Sequence, residues 1–91
     1  MQLHDKLVSA AVAYDKRCER QEIRRGYVVN IYRIAHILRA IDATVSAVAR
    51  GADIRAALCE RFNDRLLDAM LKAAGLPKAS RGELHGFGAG S

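Results

Sequence analysis

The chain has 91 residues, of which 51% are hydrophobic and 5% aromatic, and its fifteen basic and ten acidic side chains give a net charge of +5. A chain of this length forms one domain with a modest core, which excludes a large multidomain enzyme. The basic excess is spread along the chain without a long block of one sign. It permits contact with nucleic acid or acidic proteins but requires neither.

The composition favours helices over strands. Alanine and aliphatic residues supply most of the apolar half, tryptophan is absent, and alanine loses no side-chain entropy in a helix. We therefore expect an all-α fold, a compact bundle of three or four helices over residues 1–77, followed by a flexible, glycine-rich C-terminal tail over 78–91. Leu84 and Phe87 are the tail residues that could anchor it or form a small docking motif.

The sequence argues against a membrane or secreted protein. The longest apolar region, residues 31–48, is interrupted by side chains that are costly at the centre of a bilayer, namely Arg33, His36, Arg39 and Asp42. The N-terminus lacks the basic start and apolar stretch of a secretory signal, and Cys18 and Cys59 are the only cysteines. We expect a reduced, cytoplasmic setting.

The first two helices are predicted over residues 2–25 and 28–50. The apolar stripe of the first helix is Leu3, Leu7, Ala11, Tyr14 and Cys18. The apolar arc of the second helix is Ile31, Ile34, Ile37, Leu38, Ile41, Val45 and Val48. Gly26 and Gly51 end these helices. Asn30 is a candidate N-cap for the second helix, which would make residues 27–29 a linker.

The third and fourth helices are predicted over residues 54–62 and 64–74. Asp53 caps the third helix, Asn63 caps the fourth, and Gly75 followed by Pro77 ends it. One kinked helix over 54–74 is the alternative, but each four-residue step drifts the apolar face by about 40°, which favours a break near Asn63. A DNA-binding helix-turn-helix is disfavoured, because the junction is essentially one residue and the fourth helix has no net positive charge.

Basic and tyrosine side chains lie away from the apolar stripes of the first two helices. An arginine fork suits a phosphate or a carboxylate, and a tyrosine can stack on a base. The candidate partner-binding residues are Arg17, Arg20, Arg24, Tyr32, Arg33, His36 and Arg39. The alternative is an ordinary solvated face, balanced by the nearby acidic residues Asp15, Glu19, Glu22 and Asp42.

No metal, cofactor or catalytic site is predicted. The residues considered as ligands or nucleophiles are Cys18, Cys59, His4, His36 and His85, and they show no paired ligand spacing. The chain also has no glycine-rich phosphate loop and no G-x-S-x-G motif. We therefore expect a non-enzymatic protein without cofactors.

Small residues on the flank of the second helix leave two interpretations open. Ala40, Thr44 and Ala47 are expected to lie away from the main apolar arc, where another helix could approach closely. This flank predicts either a homodimer or partner interface, or surface positions that are filled by helix-favouring residues.

Two segments carry a resemblance to a known class of proteins. Within residues 30–79, the GADIRAAL turn and the FNDRLLDAMLKAAGLP helix look like those of small uncharacterised helical proteins of bacteriophages and other mobile elements in high-GC bacteria. Many phage-encoded proteins of this size bind a host machine, anti-CRISPR proteins among them. The resemblance therefore implies binding to a larger host complex, but it assigns no active residue, because no defined motif is matched.

Three functional hypotheses are compatible with these features. The first is a small interaction protein of phage or mobile-element type that docks its arginine-bearing surface on a larger protein or ribonucleoprotein complex and inhibits or modulates it, with CRISPR inhibition as one form. The second is a nucleic-acid-binding accessory protein that uses the same surface on phosphates. The third is a structural helical module that associates with itself.

Overall fold

Residues 1–84, the part of the chain that the computed structural model describes, form five helices and no strand. The helices are α1 (Leu3–Arg24), α2 (Arg33–Ala49), α3 (Ile54–Arg61), α4 (Asp64–Ala73) and the short α5 (Arg81–Leu84). The predicted all-α fold is confirmed. The start of α2 differs most from the expected bounds, since it lies five residues later than the sequence pattern indicated.

The four long helices enclose one core. α1 packs against α2 and α4, and α3 packs against the same two helices. α1 and α2 are antiparallel. The start of α2 meets the end of α1 through an ion pair between Arg33 and Glu22. His4, near the start of α1, lies 3.3 Å from Asp42 of α2, measured from Nε2 to Oδ1. This pairing leaves the α1–α2 connection at one corner of the molecule.

The core is aliphatic, with one aromatic ring. The large buried apolar side chains are Leu7, Ile37, Ile41, Leu58, Phe62, Leu67, Met70 and Leu71. Each such side chain contributes about 1.5–3 kcal/mol when it is fully buried. The predicted stripe of α1 is confirmed at its centre, where Leu7 and Ala11 are buried, while its outer members are half-buried.

Predicted local signals are present at the start of α3 and at the end of α4, but not at the start of α4. The Asp53 carboxylate accepts a hydrogen bond of 2.9 Å from the Ala56 amide and so caps α3. Asn63 occupies the N-cap position of α4, but its side chain makes no capping hydrogen bond. At the end of α4, Gly75 has φ +76°, and the Leu76 amide donates to the Leu71 carbonyl at 2.9 Å. This is the Schellman arrangement, and it requires a left-handed residue at Gly75.

The first part of the predicted tail, residues 78–84, contacts the helical domain and includes α5. Arg55 on α3 donates hydrogen bonds to the carbonyls of Pro77 and Lys78, and it forms two hydrogen bonds of 3.0 and 2.8 Å with the Glu83 carboxylate. Arg55 therefore holds this stretch against α3. Residues 85–91, which include His85 and Phe87, lie outside the described residues. The flexible tail over 78–91 stays a prediction.

A capping box starts α5. The Glu83 carboxylate accepts from the Ser80 amide at 2.8 Å, and the Ser80 hydroxyl accepts from the Glu83 amide at 3.2 Å. The Arg55 guanidinium, helped by the Ser80 amide, lowers the pKa of Glu83 to about 2. The carboxylate thus stays charged at neutral pH and links α5 to α3.

Candidate interaction surface

Five large apolar side chains are exposed at the corner where α1 turns into α2. They are Ile23, Tyr27, Val28, Ile31 and Tyr32, with exposed fractions of 62, 63, 93, 71 and 67%. We call this group the tip. Single exposed apolar residues are common on protein surfaces, whereas large exposed apolar patches mark interaction sites. These five side chains lie within ten consecutive residues around one helix connection.

The backbone of the tip is ordered by two local devices. Gly26 has φ +74°, and the Tyr27 amide donates to the Glu22 carbonyl at 2.8 Å, which ends α1 in a Schellman arrangement. The Asn30 side chain then accepts a hydrogen bond of 3.1 Å from the Tyr32 amide. That bond forms a turn ahead of the helix, so α2 begins at Arg33 and Asn30 is not its N-cap.

Arg33 braces the corner from inside. Its guanidinium forms two hydrogen bonds of 2.9 and 2.7 Å with the Glu22 carboxylate, and its Nε donates to the Asp15 carboxylate at 2.7 Å. The three side chains are only 16, 20 and 19% exposed for Arg33, Glu22 and Asp15. We call this network the brace.

Within the brace, Arg33 and Glu22 each shift the pKa of the other so that the charged form is favoured. The hydrogen bonds from Arg33 lower the pKa of Glu22 from its ordinary value of 4.5. The Glu22 carboxylate, with a smaller effect from Asp15, raises the pKa of the Arg33 guanidinium. Arg33 is therefore engaged by Asp15 and Glu22 and is not an exposed side chain, and its role as a partner-binding residue stays a prediction.

Three predicted arginines share one face of α1. Arg17, Arg20 and Arg24 are exposed and lie within about 60° of one another around the helix axis. We call them the arginine stripe. None of them forms an ion pair with any residue of 1–84, although the Arg17 guanidinium lies 5.9 Å from the centre of the Tyr14 ring. The stripe therefore presents uncompensated positive charge up to the edge of the tip.

The other predicted residues are exposed on different parts of the molecule. Tyr32 belongs to the tip, directly before α2. His36 and Arg39 are exposed on α2, one turn apart. No hydrogen bond or ion pair within residues 1–84 joins either of them to the arginine stripe. The predicted surface is therefore divided between two helices and the tip.

The sequence reasoning missed most of the tip. It assigned Ile31 to the core arc of α2, but Ile31 is 71% exposed because the helix begins two residues after it. It treated Tyr27 and Val28 as linker residues and did not consider Ile23. A usable signal was present: the run YVVNIY places five apolar residues around one asparagine directly after a glycine helix stop.

The small-residue flank of α2 does not form an exposed interface. Thr44 is fully buried, and its hydroxyl donates to the Ala40 carbonyl at 2.8 Å. Ala40 and Ala47 are partly buried. Thr44 therefore belongs to the interior, which contradicts its expected surface position, whereas Ala40 and Ala47 keep partial exposure.

The described residues contain no group of three or more histidine, cysteine or acidic side chains that could hold a metal ion. Cys18 and Cys59 are both free thiols. Burial, together with the nearby Glu83 carboxylate, raises the pKa of Cys59, so this thiol stays protonated. Within residues 1–84, no helix combines the length and apolarity needed to cross a membrane.

Comparison with known proteins finds no match of this chain to a family model, to a curated protein or to a solved structure. The geometry and charge of the surface are therefore the basis for assigning a function.

Proposed function

We propose that this protein is a small, non-catalytic binding module that docks its tip on a larger protein or ribonucleoprotein complex. The observation that carries the proposal is the exposure of five large apolar side chains on an ordered corner. Tyrosine and other large apolar side chains supply much of the binding energy at protein interfaces. Inhibition or modulation of a host complex, which the resemblance to phage and mobile-element proteins implies, is the form of this function that we propose.

The charge around the tip indicates an acidic partner. Residues 15–33 carry six basic and three acidic side chains, a net charge of +3. Two of the three acids are engaged by Arg33 in the brace. Arg20, Arg24 and Arg25 are exposed and have no ion pair within residues 1–84. An apolar centre with an arginine rim complements an apolar pocket bordered by carboxylates.

A second copy of the chain is a poorer fit for the same surface. A symmetric dimer through the tip would bring two arginine rims together, and like charges across an interface are unfavourable. We therefore treat self-association through the tip as the weaker hypothesis.

Photo-crosslinking from the tip tests the proposal. A benzophenone amino acid replaces Val28, which is 93% exposed, and in a control protein it replaces Ser46. Ser46 is exposed on α2, about 20 Å along the helix from Arg33. In a bacterial extract, position 28 should crosslink to one defined protein that position 46 does not capture.

Binding of that protein, once purified, should then depend on the tip. Val28→Asp places a charge at the centre of the apolar surface without touching the core, and it should weaken binding at least about tenfold. Ser46→Asp is the matched control and should leave binding unchanged. Equal loss in both variants, or identical crosslinks from both positions, would contradict the proposed docking surface.

Nucleic-acid binding is the second candidate, and the arginine stripe is the observation that favours it. Binding to single- and double-stranded DNA and RNA is measured at about 50 and 200 mM salt, where a phosphate-binding surface with several contacts loses orders of magnitude in affinity. Nucleic-acid binding would replace the docking function if the measured binding is salt-dependent, is abolished by Arg20→Glu and Arg24→Glu, and is unchanged by Val28→Asp.

A further inference from the structure

An open groove with a volume of about 850 Å³ runs between α1 and α4. The alanines that line it are Ala10, Ala13, Ala69 and Ala73. The charged side chains that line it are Lys6, Arg17, Arg65, Lys72 and Asp68. The groove therefore combines short apolar side chains from both helices with a net charge of +3. Of these residues only Arg17 belongs to the arginine stripe, and none belongs to the tip.

The dimensions of the groove suit an α-helix. Lys6 and Arg17 are eleven residues apart on α1, which corresponds to about 16 Å or three helical turns. Alanine side chains along the groove allow another helix to approach to roughly 8 Å between axes, the short end of the usual range. A partner helix of three to four turns would fill this length.

The positive charge of the groove is not compensated within the described chain. None of its four cations forms an ion pair with any residue of 1–84. Asp68 is the one carboxylate among the lining residues. A ligand that brings several carboxylates would therefore gain attraction on both sides of the groove, from Lys6 and Arg17 on α1 and from Arg65 and Lys72 on α4.

Two other occupants fit less well. A second copy of this groove would face it with the same positive charge, which disfavours self-association here. A nucleic acid would find no aromatic side chain among the lining residues for base stacking, and its phosphates would gain nothing from the alanine methyl groups. The alanines favour an apolar helix face, and the cations favour acidic flanks.

We infer that the groove between α1 and α4 binds an acidic amphipathic helix of a partner protein. The apolar face of that helix would lie on the alanines, and its glutamates or aspartates would flank it beside the lysines and arginines. This is the helix-in-groove mode of peptide recognition.

Fluorescence anisotropy with the full chain tests this inference. The probe is a fluorescein-labelled acetylated peptide of about fourteen residues, roughly 21 Å as a helix, with alanine and leucine on one face and glutamate on the flanks. The control peptide has the same composition, in an order that scatters the apolar residues around the helix. At about 50 mM salt, the amphipathic peptide should bind at least about tenfold more tightly than the scrambled one.

Three variants assign the binding to the groove. Ala13→Gln partly fills the groove at an exposed helical position, and Arg65→Glu reverses one wall charge. Each should weaken peptide binding at least about tenfold. Lys16→Glu makes the same reversal of charge on α1 at a residue outside the groove lining, and it should change binding less than about twofold.

Several results would overturn the inference. Equal affinity for the two peptides would show that charge alone drives the binding. An equal effect of Lys16→Glu and Arg65→Glu would place the binding outside the groove. In a third case, an equimolar single-stranded DNA oligonucleotide displaces the peptide, and Arg65→Glu weakens DNA binding as much as peptide binding. That result would assign the groove to nucleic acid.

Discussion

Replacement of Arg33 by methionine should destabilise the protein by about 2 kcal/mol. The variant keeps a long apolar side chain at residue 33 but leaves the Asp15 and Glu22 carboxylates without their common cation. Exposed ion pairs contribute about 0.2–1 kcal/mol, whereas loss of one partner from a buried pair costs about 3–5 kcal/mol. The side chain of Arg33 is 16% exposed, so the expected loss lies between these limits.

Urea unfolding, followed by far-ultraviolet circular dichroism, measures this loss. In a thermal melt of a domain of this size, a loss of about 2 kcal/mol lowers Tm by roughly 8–16 °C. The matched control is Arg39→Met, the same substitution on the same helix at an exposed residue that has no ion pair within residues 1–84. It should change the free energy of unfolding by less than about 0.5 kcal/mol.

The pH dependence gives a second readout of the brace. Because Arg33 lowers the pKa of Glu22 in the folded state, its contribution to stability is present above the ordinary pKa of 4.5 and is lost as the pH falls. The stability difference between the wild-type protein and Arg33→Met should therefore shrink below that pH. Amides of residues 27–32 should also exchange faster with solvent in the variant.

A loss no larger than that of Arg39→Met would refute this reasoning. Arg33 would then behave as a surface residue, and its sequence-based assignment to the partner-binding group would be restored. A double-mutant cycle with Glu22→Gln separates the ion pair from other effects, since a coupling near zero would exclude the brace as the source of the loss.

Three further predictions concern local features. The stability of the wild-type protein should fall between pH 4.5 and about 2, because the lowered pKa of Glu83 gives a stabilising contribution that is complete only above this interval. Thermal melts of Glu83→Gln should lack the part of this fall that Glu83 causes. Asp53→Ala should cost about 1 kcal/mol in urea unfolding through loss of the α3 cap, and no change would exclude the cap as a stabilising contact. Gly75→Ala should cost about 1–2 kcal/mol because φ at Gly75 is +76°, whereas Gly75→Asn should cost less.

The sequence was informative where structure depends on near neighbours. The ends of α1, α2 and α4 fall at Gly26, Gly51 and Gly75, which all have positive φ. The start of α3 follows from the short-range bond between Asp53 and the Ala56 amide. Such contacts span three to five residues, so the residues that form them can be recognised without a fold.

The start of α2 could not be located from apolar periodicity. Ile31 falls on the same arc as the core residue Ile37, and the pattern therefore continues past the true boundary. The boundary depends on the bond from the Tyr32 amide to the Asn30 side chain and on the brace at Arg33. This error concealed part of the tip, because Ile31 was expected in the helical core but lies exposed before α2.

Long-range pairs explain the remaining differences. Arg33 is separated from Asp15 by 18 residues, and Arg55 from Glu83 by 28 residues. Nothing in the local sequence distinguishes these two arginines from Arg39, which is exposed. The Ser80 and Glu83 capping box was readable, but a four-residue helix has little stability alone, and Arg55 provides the contact that fixes it.

The brace also bears on how the tip could bind. A flexible loop loses conformational entropy when it docks, and an apolar loop without structure would bind weakly for that reason. Here four of the five tip residues lie on the connection between the Gly26 helix end and Arg33, and the fifth, Ile23, lies on α1 itself. Arg33 contacts α1 from the first turn of α2, so it holds the ends of the connection together whether or not a partner is present. Under the proposed function, Arg33 would serve binding indirectly, by keeping Tyr27, Val28 and Tyr32 in one arrangement.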